Sequence, residues 1–259
     1  MKKFTKEEIQ GIARMANIDP LKSLEALGGY YSCPYDGLGN RKGPIVGYAG
    51  KYDDGKGQKL QYVGDTYANF SVIEQYPEVL GYMAEKLRLK TSHVLNHETV
   101  DLVCGPQMGG IAIGYAFAER LKVRFAYIEK KIIQLASENA REQSELCFLK
   151  HQIHEGERVV ICEDVLNNFS TTEQTIEVIN SLGGIVVGIV GLMNRSVDQK
   201  KQFPVEGADI PIIALVEKPI HEYRQDDPAV DQEIKNKNVI WKPKNEWGRL
   251  MDAMSKKTT

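Results

Sequence analysis

The chain has 259 residues, 42% of them hydrophobic and 26% charged, with 33 Lys and Arg set against 35 Asp and Glu. That length accommodates one large α/β domain, or one domain with a substantial appendage. Balanced charge without a long like-charge run leaves no electrostatic footprint for nucleic acid, and no apolar stretch approaches the roughly 20 residues of a membrane span. No apolar core of signal-peptide length follows Lys2 and Lys3. Cys33, Cys104, Cys147 and Cys162 stand far apart with no CxxC pair. Free thiols in a reducing cytoplasm are therefore expected, rather than disulfides or a zinc framework.

In chain order, residues 5–16 and 20–27 read as short helices, the second with Pro20 in its first turn. From Gly28 to Asn69 the pattern is strand and turn, with Asp54-Gly55 as a hairpin signal. Residues 71–89 return to helix, with Val72, Val79, Leu80, Met83 and Leu87 at mostly helical spacing. A composition shift near residue 100 closes this Gly- and Tyr-rich part, read as an N-terminal hood of short helices and strands over residues 1–99.

A more regular core is expected over residues 100–220. Val100–Gly105 reads as a buried strand, and residues 108–121 as a helix of small residues able to pack closely on a sheet. Arg124–Ile128 and Arg158–Cys162 are the next strands, residues 171–182 a helix, and Gly184–Met193 and Ile210–Val216 two further strands. Continuous apolar strands alternating with helices predict an α/β fold, a parallel sheet flanked by helices. Residues 221–259 form a tail, which Trp241 and Trp247 are expected to dock onto the core.

The chemistry gathers at the end of the third core strand. Two adjacent carboxylates, Glu163 and Asp164, precede a polar loop, Asn167-Asn168-Phe169-Ser170-Thr171-Thr172, and then a helix. In an open parallel sheet ligands bind at the carboxyl ends of strands, which puts this loop in the site. Free N–H groups and the positive dipole end at the helix start favour a phosphate. The acids suit the hydroxyls of a ribose. The bland alternative is a capping box, with Ser170 as N-cap and Glu173 at N3. Gly105-Pro106-Gln107-Met108-Gly109-Gly110 matches neither a dinucleotide fingerprint nor a Walker A loop, and combined with Glu163–Thr172 it becomes a candidate pyrophosphate-binding turn.

The run from Arg158 to Gly184 resembles the phosphoribosyl-pyrophosphate motif of type I phosphoribosyltransferases. DLVCGPQMGGIAIGYAFAERL with RFAYIEKK, and the later GLMNRS, resemble orotate phosphoribosyltransferases in particular. The resemblance covers roughly residues 45–200. It implies an enzyme of pyrimidine biosynthesis that transfers the phosphoribosyl group to orotate, giving orotidine 5′-monophosphate and pyrophosphate. In that reading Glu163 and Asp164 hold the ribose, with Lys130 and Lys131 beside them as catalytic candidates. Asn167, Asn168, Phe169, Ser170, Thr171 and Thr172 hold the 5′-phosphate, while Gly105, Gln107, Gly109 and Gly110 face the pyrophosphate. Arg195 binds the base. Mg²⁺ is implied as a cofactor bound mainly through the pyrophosphate, and the family implies a homodimer with a mobile loop, here Ile132–His154.

Two departures keep other readings open. Asn167-Asn168-Phe169 stands where the family shows Thr-Thr-Gly, which removes easy access to positive φ and is expected to add bulk near the phosphate. After Lys130-Lys131 the chain turns apolar at Ile132-Ile133, leaving Arg141 as a substitute for the family's loop cation. A regulator that binds phosphoribosyl pyrophosphate or a nucleotide without efficient turnover is one alternative, and a transferase for a purine base another. Lys130-Lys131 is more often a solvated pair than a catalytic one, and His151-x-x-His154-Glu155 is expected at the surface rather than around a metal.

Overall fold

The computed structural model describes residues 3–134 and 143–255. Two compact units emerge. One combines the N-terminal segment up to Ile12 with Leu21–Gln75 and the segment from Ile220 onward; the other combines Ala13–Pro20 with Tyr76–Pro219.

The chain opens with α1 (Lys6–Ile18) and α2 (Pro20–Ala26). A reciprocal capping box starts α1: the Glu8 amide donates to Thr5 Oγ1 at 3.2 Å, and the Thr5 amide donates to Glu8 Oε2 at 2.8 Å. Four strands follow: β1 (Tyr30–Ser32), β2 (Ile45–Asp53), β3 (Lys59–Gly64) and β4 (Thr66–Ala68). The hairpin signal at Asp54-Gly55 is realised, since β2 and β3 pair antiparallel up to Asp53 and Lys59. Asp54 Oδ1 accepts the amides of Lys56 and Gln58 inside the turn. The helix expected over 71–89 is two helices, α3 (Ser71–Glu74) and α4 (Pro77–Thr91). The break falls at Tyr76, held at φ −123° and ψ 83° because the proline after it excludes helical geometry.

In the second unit, β5 (Leu102–Pro106), α5 (Gly109–Leu121), β6 (Arg124–Gln134), β7 (Gln143–Cys147), β8 (Arg158–Leu166), α6 (Ser170–Ser181), β9 (Ile185–Asn194), β10 (Gln202–Val205) and β11 (Ala208–Glu217) succeed one another. They build one seven-stranded sheet in the order β10-β11-β9-β8-β5-β6-β7. The five central strands are parallel, as their unbroken apolar runs predict. Each edge adds an antiparallel strand, β10 on β11 and β7 on β6. These edge strands are short, so periodicity alone does not announce them.

Helices cover both faces of the sheet. Ile176 and Ile179 of α6 enter a core with Leu102, Cys104, Ala126, Ile128, Ile161, Ile189 and Ile212. On the other face, α5 packs closely because Gly114 sits where any Cβ would lie 2.9 Å from the Phe125 ring and 3.7 Å from Cys162 Cβ. The small residues read in this helix are thus the condition for its approach to the sheet.

Beyond the sheet lie α7 (Asp231–Lys235), β12 (Val239–Ile240), which adds in parallel to β2, and α8 (Trp247–Ser255). Trp247 is buried, donates Nε1–H to the Gly28 carbonyl at 2.8 Å and lies against the Tyr67 ring. Trp241 stays 40% exposed, so the two tryptophans divide between anchor and surface. Among the described residues, no helix is long and apolar enough to cross a membrane.

Candidate active site

The order of the five parallel strands reverses between β5 and β8, whose crossovers leave in opposite directions. At such a switch point the carboxyl ends of neighbouring strands open a crevice. Gly105 closes β5 and Gly109-Gly110 begin α5, while Glu163 and Asp164 lie toward the end of β8. The glycines are required by contact. A Cβ on Gly109 would overlap the Asp164 carboxylate, one on Gly110 the Cys162 carbonyl oxygen, and one on Gly105 the Gly110 carbonyl. Gln107, partly buried, donates its amide to the Ile128 carbonyl at 3.2 Å, which ties the turn to β6. The Gln107–Met108 peptide bond is cis.

The strand expected to stop at Cys162 runs on through both acids to Leu166, paired with β9 as far as Asn194. Successive side chains of a strand alternate in direction, so the two carboxylates leave β8 on opposite faces. Asp164 shares the face of Cys162 and lies against Gly109; its Oδ1 also accepts the Val165 amide at 2.8 Å. Glu163 is held well above the ordinary carboxylate range, first by burial and then by the like charge of Asp164.

After β8 the loop is held by side chains. Phe169 takes φ 58° and ψ 8°, a left-handed geometry that glycine adopts most easily, as the N-cap of α6. Its bulk is not displayed at the loop surface. The ring turns into the core, 4% exposed, and packs on Phe203 with ring centres 5.6 Å apart. Burying a large ring offsets a left-handed strain on the order of 1–2 kcal/mol.

The capping box at Ser170, the alternative reading of this loop, does not form. Ser170 is already helical, the Glu173 amide bonds the Phe169 carbonyl, and Asn168 Oδ1 caps the helix start by accepting from the Ser170 amide (3.3 Å) and hydroxyl (3.1 Å). Asn167 and Thr171 are partly buried, Asn168 and Ser170 exposed, and Thr172 is buried.

The basic candidates are spread more widely. Lys130 and Lys131 are exposed on β6, opposite Leu146 and Glu145 of β7, and Lys131 Nζ lies 3.9 Å from Glu145. Arg195 follows β9, and its amide donates to the Leu166 carbonyl at 2.9 Å, joining the ends of β8 and β9. Arg141 and the middle of the Ile132–His154 segment lie outside the described residues. His154 is exposed, but His151 is partly buried, edge-on to Tyr127 at 4.5 Å.

A phosphoribosyl transferase domain model matches residues 83–207, the stretch that carries the crevice. An orotate phosphoribosyltransferase of Thermoanaerobacter sp. is 30% identical over 165 residues, spanning 63% of this chain and 75% of the relative. The chain belongs to the phosphoribosyltransferase family. An orotate phosphoribosyltransferase of Caldanaerobacter subterraneus shows the same 30% identity, over 164 residues, with 63% and 75% covered. Among solved structures, the adenine phosphoribosyltransferase of Thermoanaerobacter pseudethanolicus aligns with TM-score 0.46 and 24% identity, covering 65% of this chain and 94% of that one.

Within this phosphoribosyltransferase core, sequence reasoning assigned Asn168 to the phosphate without its role as a cap, and passed over Asn194. Asn168 caps α6, and Asn194 accepts the Ser196 amide (3.0 Å) and hydroxyl (2.7 Å) on its Oδ1. Both belong to an Asn-x-Ser pattern at or just past the end of a buried strand, the signature of an asparagine side chain bonding the backbone two residues on. That repeated pattern was the available signal.

Proposed function

We propose that this chain transfers the phosphoribosyl group of 5-phosphoribosyl 1-pyrophosphate to orotate. The observation that carries the reading is the apposition of the Gly109 turn and the Asp164 carboxylate at the switch point of the sheet. A glycine turn with open backbone facing an acid suits a sugar whose anionic leaving group and hydroxyls must be held together. Orotate, rather than another base, is favoured by the names of the relatives at about 30% identity. Arg195, fixed beside Leu166, is a cation for the carboxylate of orotate.

In the transfer the bond from C1′ to the pyrophosphate oxygen breaks as a bond from C1′ to the ring nitrogen of orotate forms. The sugar becomes cationic in between, so the protein's task is to position and to stabilise charge. Asp164 holds the ribose hydroxyls and faces the developing positive charge. Gly105, Gln107, Gly109 and Gly110 line the leaving pyrophosphate, with Lys130 and Lys131 near it. Asn167–Thr172 hold the 5′-phosphate at the start of α6. Burial and the neighbouring Asp164 raise the proton affinity of Glu163, which favours its neutral form and limits the repulsion beside Asp164.

Mg²⁺ fits this donor set, because the crevice offers it carboxylate oxygen from Asp164, and hard cations take oxygen ligands. Among the described residues no group of three His, Cys, Asp or Glu could hold a metal. When bound, Mg²⁺ neutralises charge on the leaving group.

The test is loss of orotate ultraviolet absorbance with phosphoribosyl pyrophosphate and Mg²⁺ present. Turnover dependent on all three is expected, and Asp164→Asn should lower it on the order of 100-fold with the fold retained. One observation favours a second reading, a binder without efficient turnover: Asn168 already engages the Ser170 amide that a phosphate would use. Calorimetric binding of phosphoribosyl pyrophosphate without orotate consumption would select it.

A further inference from the structure

The loop assigned to the 5′-phosphate brings no cationic side chain of its own, since Asn167–Thr172 are all uncharged. A cation stands beside it from another segment. Lys200 lines a cavity of about 390 Å³ together with Asn167, Asn168, Phe169, Ser196, Val197 and Asp198. Its ammonium lies 5.9 Å from the centre of the Phe169 ring, and Phe169 is the N-cap of α6. That distance is to the inward-turned ring, and it is the cavity that joins Lys200 to the polar loop residues Asn167 and Asn168.

The segment that carries Lys200 is held in shape. Asn194, 1% exposed, accepts from Ser196 through its side chain and donates Nδ2–H to the Lys200 carbonyl at 3.4 Å. Gln199 takes a positive φ of 46° and donates Nε2–H to the carbonyls of Asn194 and Ser196. The Ile212 amide then holds the Lys201 carbonyl at 2.8 Å. The backbone at Lys200 is thus set by partly buried hydrogen bonds, while its ammonium pairs with Asp198, more than half exposed, at 3.7 Å. An exposed ion pair of that kind is weak and easily exchanged for a better anion.

Resting on the proposed assignment of Asn167–Thr172 to the 5′-phosphate, we infer that Lys200 is a further ligand of that phosphate, presented from the Asn194-tied loop after β9. It supplies the positive charge that the uncharged loop lacks, acting with the amides at the start of α6. Asp198 holds the ammonium in place until the phosphate arrives.

The test compares ribose 5-phosphate with inorganic pyrophosphate as calorimetric probes of the whole protein, with melting curves to verify the fold. Lys200→Met should weaken ribose 5-phosphate about tenfold, leave pyrophosphate within about twofold, and flatten the salt dependence of the former. Lys200→Arg should restore most of the affinity. Asp198→Asn, which removes the competing carboxylate, should tighten ribose 5-phosphate. Unchanged ribose 5-phosphate binding in Lys200→Met would overturn the inference while leaving the phosphate loop standing. An equal loss for both probes would overturn it too, by showing a general field effect. If the unaltered protein bound pyrophosphate but no ribose 5-phosphate, the loop assignment itself would fall, and this inference with it.

Discussion

The two loops that meet at the switch point are shaped in opposite ways. The turn after β5 is shaped by what is missing: Gly105, Gly109 and Gly110 stand where a methyl group would collide with Gly110, Asp164 and Cys162. The loop after β8 is shaped by what is present, an Asn168 cap and a Phe169 ring anchored in the core. A left-handed residue usually calls for glycine; here a buried aromatic holds that geometry from the other side. A loop built on absence fails when anything is added, and a loop built on anchors fails when an anchor is removed.

The sharpest test of the contrast is Phe169→Gly. On backbone grounds it is a relief, yet removing the ring from Phe203 and its core neighbours should cost about 3 kcal/mol net. A lower urea midpoint with unchanged slope would report it, and a stability gain would break the comparison. Next is Gly110→Ala, where the added methyl meets the Cys162 carbonyl oxygen of a central strand that cannot move away. About 2 kcal/mol of destabilisation is expected, read from the same denaturation curves. Gly207→Ala, whose Cβ would meet nothing within 4 Å despite its positive φ, separates collision from backbone strain.

A pH series probes the acid pair between the two loops. Glu163 holds its proton to higher pH in the folded protein than in the unfolded chain. Between those two values the native state binds more protons than the unfolded state, so stability falls as pH rises above about 4.3. Glu163→Gln should lack this decline, its advantage growing by at most about 1.4 kcal/mol per pH unit within the window. Parallel melting-temperature profiles for both proteins would contradict the burial of the charge. The smallest effect belongs to Asn168→Ala, which removes the cap and should cost about 1 kcal/mol.

Much of the core was legible because it is written in local pattern. The apolar runs of β5, β8, β9 and β11 announced parallel strands, and the small residues of α5 announced close packing. Breaks and edges were less legible. Pro77 splits a helix that the spacing of Val72 and Val79 suggested was continuous, while β7 and β10 are too short to be read alone. The site followed the same division. Glu163–Thr172 could be singled out from strand, acids and helix start, but the Ser170–Glu173 capping box gave way to Asn168, whereas the equivalent Thr5–Glu8 box forms at α1. A Ser-x-x-Glu pattern offers a cap, and the preceding loop decides whether it is used.

By itself the sequence determined an α/β core, the position of the acid pair at a strand end, and the family to which these residues belong. These follow from periodicity and short motifs, which depend on neighbours along the chain. The tertiary structure alone decided that Asp164 lies against Gly109, that the Phe169 ring turns inward, and that Lys200 shares a cavity with Asn168. Those are contacts between distant segments, set by the order in which strands join the sheet and by the space their side chains must fill, and no local pattern encodes either one.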